Sequence, residues 1–488
     1  MHNINPHSKK TGSRSKPEQV IIIMADGVGT SLLQRLLDAG KLPGIEQMFM
    51  HNGKRTIDSA VTAFPSTTGP AHLPFLTGRF PGPCNIPGIR WFDPDKYRSC
   101  LFSPFRFRSY MGIGNFFLKY DMAPSVKTLF QEITDHATIA GNIRKGVRPG
   151  RDLTFASKVL HNLKSFASQD WRGFDRLAEK KLLQAVDSRI SLIFSVFYGP
   201  DSNGHKEGPN CDKVHAACLA IDHTITDLDH LLRRQGRREK TLVFLVSDHG
   251  MSATHSHFDL HAVLDRLHGP CLAHPTIWKG FYRARSAVMV SGNAMAHIYL
   301  KIQQRHNIFL DSPDKTLLKI IDELLANPAV NQLIGRNSDN SLQVITKNGS
   351  AKISELQPDN IIYTCRGEDP FAYPTSLNGS FSDREMLEKT FNTDYPDAPR
   401  QLLQLFKSRR CGHLVVTSTS GHDLRAGYER PPHLGSHGSL HRDHMLVPLL
   451  CNRKLRDGAR RTVDVFTSIL ATLDLPISPD IDGKNLFR

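Results

Sequence analysis

Three continuous apolar segments of this chain end at an aspartate. "QVIIIMAD" ends at Asp26, "ISLIFSVFYGPD" at Asp201 and "TLVFLVSD" at Asp248. Unbroken apolar runs of this length are typical of strands buried on both faces, as in a parallel sheet covered by helices. Because the carboxyl ends of parallel strands open onto one edge, we expect the three carboxylates to meet there. Carboxylates brought together repel one another, so the pattern predicts bound cations.

The segments that separate these runs have helical periodicity. "TSLLQRLLDAG" follows the first run, and apolar residues recur every three or four positions from Val214 to Leu232. A strand, a helix and a second strand in succession form a parallel crossover unit. "HLVVTST", "MLVPLL" and a closing helix, "VDVFTSILATL", continue the alternation. The sequence therefore predicts an α/β fold with a central, mostly parallel β-sheet flanked by helices.

Residues 261–409 interrupt this pattern and predict an inserted α+β subdomain. They contain one amphipathic helix, "DKTLLKIIDELLAN", and an alternating segment, "LQVITKNGSAKIS", in which Asn348 and Gly349 are typical of a β-hairpin turn. We expect 19–260 and 410–488 to form the main domain, after a disordered basic tail over 1–18. A second irregular segment, rich in Phe, Arg and Tyr, spans 88–125.

Composition limits the classes of protein to which the chain can belong. Its 488 residues are 39% hydrophobic and 22% charged, which excludes a disordered chain. The net charge of +15 implies an anionic partner, either a phosphate-containing substrate or, as the alternative, nucleic acid or an anionic surface. A polar N-terminus and eight scattered cysteines lead us to expect a cytoplasmic protein with reduced thiols.

Histidines accompany the aspartates. "PDSNGH" places His205 four residues after Asp201 in a predicted loop, "SDHG" places His249 beside Asp248, and "GSHGSLH" contributes His437. Any one of these pairs alone is more often a surface pair than a metal site. Their coincidence at successive strand ends reverses that expectation, and mixed Asp and His ligands suit Zn²⁺ or Mn²⁺.

The segment "AFPSTTGPAH" at 63–72 offers three neighbouring hydroxyl groups, on Ser66, Thr67 and Thr68. Its Ser, Thr, Gly and Pro residues are typical of a turn. A hydroxyl becomes a nucleophile only when a neighbour lowers its pKa, and nothing within these ten residues does so. From the residues alone, the three hydroxyls are equivalent.

The sequence resembles the nucleotide pyrophosphatase/phosphodiesterase branch of the alkaline phosphatase superfamily. The resemblance covers 20–255 and 410–487 and rests on "MADGVG", "FPSTTGPAH…LTGRFPG", "YGPDSNGHKEGP", "LVSDHGM", "HGSLHRDHMLVPLL" and "DIDGKNL". It implies an alkaline-phosphatase-like sandwich, with the main domain as the catalytic one. It also implies a hydrolase of phosphoester or phosphoanhydride bonds that depends on two divalent metal ions.

The resemblance assigns roles to individual residues. Thr68 falls on the position of the nucleophile, because Pro70 stands two residues later, and this position implies a phosphothreonine intermediate. One metal would be held by Asp26, Thr68, Asp248 and His249, and the other by Asp201, His205 and His437. The ions would be Zn²⁺, with Mn²⁺ as the alternative.

One position departs from the family pattern. Ala71 stands where an Asn is usual, so the backbone N–H of Thr68 or Gly69 is expected to stabilise the phosphoryl group. Arg90 and Trp91, in the aromatic segment, are predicted substrate contacts, with a packed lid as the alternative.

Other functions remain open on the sequence. A phosphomonoesterase, a phosphonate hydrolase or a phosphomutase uses a similar metal site. Outside this class, the positive charge fits an anion-binding or nucleic-acid-binding protein on a degenerate fold. All seven metal-ligand positions keep a ligand residue, which favours the enzyme.

Overall fold

The structure is a computed structural model. It describes residues 16–487 apart from 52, 54, 100–106, 110–111, 158–170, 274–283, 303–307, 428 and 430. The strands are β1 (Gln19–Ala25), β2 (Ser59–Val61), β3 (Arg90–Phe92), β4 (Phe107–Ser109), β5 (His136–Ile139), β6 (Leu192–Phe197), β7 (Thr241–Val246), β8 (Ser252–His257), β9 (Cys271–Ala273), β10 (Ser286–Ser291), β11 (Met295–Leu300), β12 (Val330–Arg336), β13 (Leu342–Ile345), β14 (Gly349–Gln357), β15 (Asn360–Gly367), β16 (Gly379–Ser382), β17 (Leu414–Ser418), β18 (Gly421–Asp423), β19 (Gly435–Ser436) and β20 (Leu446–Cys451).

The helices include the predicted ones that follow β1 and β6 and the closing helix. Their bounds are Thr30–Asp38, Pro43–Phe49, Leu73–Thr77, Pro94–Ser99, Leu118–Asp121, Leu129–Glu132, Trp171–Asp187, Gly199–Glu207, Asp212–Arg234, Leu260–His268, Lys315–Ala326, Asp383–Thr390, Ala398–Leu405, Arg442–Met445 and Asp464–Thr472. Within the described ranges, none of them is long and apolar enough to cross a bilayer. The seven cysteines in these ranges are free thiols, as expected.

The main sheet has six strands in the order β2-β20-β7-β1-β6-β5. The four strands β7, β1, β6 and β5 run parallel, whereas β20 runs antiparallel to β7. At the centre of the sheet, Ile22 stands opposite Phe194 on one side and Phe244 on the other. The predicted fold class, a mostly parallel sheet flanked by helices, is confirmed.

Strand β1 is apolar throughout because both of its faces are covered. Ile22 and Met24 point into one hydrophobic core, while Ile21 and Ile23 point into another, on the opposite side of the sheet. Alternate residues of a strand face opposite sides, so a strand between two helical layers needs an unbroken apolar sequence. The same packing leaves Asp26, directly after β1, as a buried carboxylate at the carboxyl edge of an otherwise apolar sheet.

A second sheet of nine strands has the order β16-β15-β14-β13-β12-β17-β11-β10-β9. It contains the predicted hairpin, in which β13 and β14 pair antiparallel. The strand predicted at 413–419 is confirmed as β17, but it lies between β11 and β12 rather than in the main sheet. An apolar strand pattern does not specify which sheet the strand joins. The division into domains at 261 and 410 stays a prediction, and residues 1–15 of the predicted tail lie outside the described residues.

Candidate active site

The ends of β1 and β7 bring Asp26 and Asp248 together. Both carboxylates are fully buried. The N–H of Gly27 donates to Oδ1 of Asp248 at 3.3 Å. Gly27 has a φ of 76°, and a Cβ atom at this position would lie 2.8 Å from the Cα of Asp201. Glycine therefore allows the end of β1 to approach Asp201, and the three carboxylates converge as the strand ends predicted.

Asp201 and His205 lie on a helix, Gly199–Glu207, and the prediction of a loop here is wrong. Ser202, Asn203 and Gly204 are weak helix formers, which obscured the helix in the sequence. Pro200 in the first turn favours the helical start, and Asp175, from Trp171–Asp187, accepts the N–H groups of Tyr198 and Gly199 at 3.0 and 2.8 Å.

The helix sets the geometry of its two metal-ligand candidates. Residues four apart lie on the same helix face, so Asp201 and His205 project side by side. Nε2 of His205 lies 3.4 Å from Oδ1 of Asp201. Nε2 of His437 lies 3.1 Å from Nε2 of His205 and 3.7 Å from the same oxygen of Asp201. These three residues offer ligand atoms that converge on one point.

The other predicted ligand group surrounds Thr68. Its Oγ1 lies 3.2 Å from Oδ1 of Asp26 and 3.0 Å from Nε2 of His249. Nε2 of His249 also lies 3.4 Å from Asp26 and 3.5 Å from Asp248. The two groups lie next to each other. The ligand atoms of Asp26, Asp201 and His249 also converge on one point, and the rings of His249 and His437 are stacked.

The structure distinguishes the three hydroxyls of 66–68. Ser66 is fully buried, and its Oγ donates to the carbonyl oxygen of Ser439 at 2.7 Å. Oγ1 of Thr67 is buried and has no hydrogen-bond partner among the described residues. Thr68 alone of the three contacts Asp26 and His249. The backbone N–H groups of Thr68 and Gly69 have no acceptor among the described residues, and Gly69 adopts a φ of 99° in this turn.

The hydrogen bonds of the histidines fix their tautomers. Nδ1 of His205, His249 and His437 lies 2.8, 3.0 and 3.0 Å from a backbone carbonyl oxygen. Each Nδ1 therefore carries the proton, and each Nε2 presents a lone pair. Two such lone pairs 3.1 Å apart repel unless a cation lies between them.

The carboxylate of Asp201 also indicates a bound cation. Oδ1 of Asp201 is buried and accepts no hydrogen bond among the described residues. A buried carboxylate oxygen without a partner is costly, whereas a metal ion satisfies it. The donor set of carboxylates and neutral imidazoles fits divalent ions such as Zn²⁺.

Burial and charge shift the protonation of this site. Burial raises the pKa of Asp26 well above its ordinary value, and the charges of Asp248 and Asp201 raise it further. Burial lowers the pKa of His437, and the neighbouring His249 and His205 lower it further. His437 is therefore neutral, as a metal-ligating imidazole must be. Cations at this edge would offset the repulsion among the aspartates.

The structure corrects one predicted substrate contact. Trp91 is fully buried in the main core, and Arg108 and Arg410 lie over its ring, so it packs and does not reach a substrate. Arg90, its neighbour on β3, is only partly buried and pairs with Glu429 at 3.3 Å. Ala71 is fully buried in a short 3₁₀ helix, Pro70–His72.

Other residues near the site were missed in the sequence. Nε2 of His72 lies 3.1 Å from Oδ2 of Asp248, with both side chains fully buried, so His72 orients this ligand candidate. Asp175 fixes the start of the helix that carries Asp201. His433 packs its ring against His205. Asp175 and His433 reach the site only through the tertiary fold, whereas His72 ends the segment "FPSTTGPAH", four residues after Thr68.

The fold is shared with solved structures of two other proteins. Phosphonoacetate hydrolase from Sinorhizobium meliloti 1021, in complex with phosphonoformate, shares the fold with a TM-score of 0.57 and 16% identity. Murine ectonucleotide pyrophosphatase/phosphodiesterase 5, in an inactive form with AMP, shares it with a TM-score of 0.51 and 15% identity. Each match covers 94% of this chain and 96% of the other.

Residues 20–440 match the family model of type I phosphodiesterase/nucleotide pyrophosphatase. The chain belongs to this family. Ectonucleotide pyrophosphatase/phosphodiesterase family member 7 of Mus musculus is 31% identical over 105 residues, which is 21% of this chain and 23% of the mouse protein. The protein of the same name from Rattus norvegicus is 29% identical over 105 residues. The chain thus matches about a quarter of the length of these relatives.

Asp175 gives the stability of the protein a pH dependence that a substitution can test. Burial raises the pKa of Asp175 to about 7. Because the folded-state pKa lies above the unfolded one, its contribution to stability is complete below about pH 4 and is lost as the pH rises through 7. We expect the free energy of unfolding of Asp175→Asn, relative to that of the wild type, to rise by on the order of 3 kcal/mol between pH 5 and pH 8. Thermal unfolding of both proteins at pH 5 and at pH 8 measures this change. The same stability difference between variant and wild type at the two pH values would contradict the prediction.

Proposed function

We propose that this protein is a two-metal-dependent hydrolase of the type I phosphodiesterase/nucleotide pyrophosphatase kind, with Thr68 as its nucleophile. The observation that carries the proposal is the position of Oγ1 of Thr68, in contact with both Asp26 and His249. This hydroxyl lies at the carboxyl edge of the parallel strands, where α/β proteins place their active sites. Family membership supports the same reaction class.

Two ligand sets would hold the metal ions, for which we propose Zn²⁺, with Mn²⁺ as the alternative. The first consists of Asp26, Thr68, Asp248 and His249, and the second of Asp201, His205 and His437. Bound there, two divalent cations would lower the pKa of the Thr68 hydroxyl and offset the negative charge that develops on the phosphoryl and leaving oxygens. The carbonyl groups that hold each Nδ1 keep the imidazoles in the tautomer that such binding needs.

The side chains and backbone groups around Thr68 have separate roles in the reaction. Oγ1 of Thr68 forms the new bond to phosphorus as the bond to the leaving oxygen breaks and its electron pair passes to that oxygen. Oδ1 of Asp26, 3.2 Å away, can accept the hydroxyl proton. The unpaired N–H groups of Thr68 and Gly69 donate to the phosphoryl oxygens, the role that an Asn at the position of Ala71 would otherwise serve. For a diester substrate the phosphothreonine still carries the second ester group, and water hydrolyses it to release a phosphomonoester and regenerate the hydroxyl.

Two arginines whose charges act on His433, the histidine that packs against His205, favour a diester. Arg90 pairs with Glu429, and Arg425 pairs with Asp423 at 3.3 Å. Each arginine is paired with a carboxylate, which leaves less positive charge for the extra negative charge of a phosphomonoester. A binding protein on a degenerate fold is disfavoured because all seven ligand positions are intact. The cytoplasmic location stays a prediction.

A substrate panel with metal analysis tests the proposal. We expect the purified protein to contain about two divalent ions and to hydrolyse bis(p-nitrophenyl) phosphate faster than p-nitrophenyl phosphate, by about tenfold or more in kcat/KM, a difference of roughly 1.4 kcal/mol. Faster turnover of the monoester would favour the phosphomonoesterase alternative. A protein with neither metal nor turnover would defeat the proposed function.

A further inference from the structure

The turn between β10 and β11 carries an asparagine from the nine-stranded sheet to the second ligand set. Gly292 and Asn293 have φ values of 65° and 71°, the left-handed conformation, in the three-residue turn 292–294 that joins the paired residues Ser291 and Met295. The N–H of Ala294 donates to the carbonyl of His437 at 2.9 Å, and the N–H of His437 donates to the carbonyl of Gly292 at 3.0 Å. Backbone hydrogen bonds therefore fix Asn293 beside a predicted metal ligand.

The side chain of Asn293 selects the tautomer of a further histidine. It is only 9% exposed, and its Nδ2 donates to Nδ1 of His433 at 2.8 Å. Because Nδ1 accepts this hydrogen bond, it carries no proton, and the neutral ring must hold its proton on Nε2. This is the opposite of His205, His249 and His437, whose Nδ1 atoms carry the proton. His433 therefore presents an N–H group where the others present a lone pair.

His433 stands beside the second ligand set without belonging to it. Its ring lies against that of His205, with the centroids 4.4 Å apart. Its nitrogens are not part of the convergent group of Asp201, His205 and His437. His433 is only partly buried, and its Nε2 hydrogen-bonds to no described residue. An N–H donor at the border of the site is therefore available to a bound molecule.

We propose that His433 is a catalytic residue whose Nε2–H donates a hydrogen bond to the leaving-group oxygen, and that Asn293 is the positioning residue that fixes this tautomer. This inference rests on the proposed function and adds to it that the second ligand set, the one without Thr68, lies at the leaving oxygen. As the bond from phosphorus breaks, the leaving oxygen gains an electron pair, and a preorganised donor stabilises that charge without transferring its proton. Esters with poor leaving groups develop the most negative charge there and depend most on His433.

The tautomer can be measured without metal and without turnover. Two-bond ¹H–¹⁵N correlation spectra of the metal-free protein should show His433 with its proton on Nε2, and His433→Gln assigns the signal by removing it. Asn293→Gly keeps the left-handed turn but removes the amide, so the Nε2–H form should no longer dominate. A wild-type His433 with its proton on Nδ1 would overturn the proposal.

Kinetics of the metal-loaded enzyme test the donor itself. For a series of aryl phosphodiesters, we expect His433→Ala to lower kcat by about 10- to 100-fold with little change in KM, and most strongly for the poorest leaving groups. His433→Gln, which keeps an N–H donor, should restore part of the loss, and Asn293→Gly should lower kcat by about 3- to 10-fold. Asn340→Gly is the matched control, since Asn340 has a φ of 65° in an exposed turn.

The possible failures are distinguishable. An equal loss for every leaving group, or no loss, in an active metal-loaded enzyme would overturn the role of His433. Loss of one metal ion in His433→Ala would also overturn it, because His433 would then be a ligand. A wild-type protein without metal or turnover would instead defeat the proposed function itself.

Discussion

Replacing Thr68 with alanine should lower turnover by about 10⁴-fold or more and abolish labelling of the protein by phosphate from the substrate. Oγ1 of Thr68 is the atom that would form the covalent bond to phosphorus, and no other hydroxyl of 66–68 contacts Asp26 or His249. Acid quench of the enzyme with a ³²P-labelled diester, followed by peptide mapping, measures the label directly. Thr68→Ser keeps the hydroxyl and should keep the label at a reduced rate.

The neighbouring threonine provides a matched control. Within the part of the chain that the structure describes, the buried Oγ1 of Thr67 has no hydrogen-bond partner, so Thr67→Val preserves shape and removes only an unused hydroxyl. We expect Thr67→Val to retain turnover and the label on Thr68. A label that persists in Thr68→Ala, or that disappears in Thr67→Val, would show that the nucleophile is another group.

The parts of the fold that sequence predicted are those set by local pattern. The apolar runs of β1, β6 and β7 predicted a sheet covered on both faces, because a strand with both faces buried is apolar at every position and does not alternate between apolar and polar residues. Sheet membership is different. Leu414 and Val416 pack into one core and Val415 into another, so β17 satisfies the pattern of a central strand in either sheet. Only pairing with β11 and β12, far away in the sequence, decides where it lies.

The same distinction applies to the site. Asp26, Asp248 and His249 follow strands directly, and their positions come from the strand ends. Asp175 accepts a hydrogen bond from Gly199, 24 residues later, at the start of the helix Gly199–Glu207. Asn293 hydrogen-bonds to His433, which lies 140 residues later in the sequence. Such hydrogen bonds leave no spacing signal in one sequence. The helix that carries Asp201 has weak helix formers in its own sequence, and Asp175, which stabilises its start, is remote. The local sequence therefore predicts a loop.

Removing divalent metal should abolish turnover and lower the melting temperature, and both should return when Zn²⁺ is added. Asp26 and Asp248 are fully buried beside Asp201, and without cations their charges repel. The folded-state pKa of Asp26 is raised, so its contribution to the stability of the metal-free protein is complete below about pH 4 and is lost as the pH rises. The stabilisation by metal should therefore grow as the pH rises above about 4. At a metal concentration of 100 times Kd it would be about 3 kcal/mol.

An exposed group of metal-ligand type requires a control in this experiment. Glu179, His223 and Asp227 also offer convergent ligand atoms, on the outer surface of two helices. His223→Ala disables that group and should leave turnover and the Zn²⁺-dependent rise in melting temperature unchanged. His437→Ala should lose both, because it removes one of three ligands from a set in which a buried oxygen of Asp201 accepts no hydrogen bond from the residues that the structure describes. Full activity after verified metal removal, or a stabilisation that shrinks as the pH rises, would contradict the two-metal site.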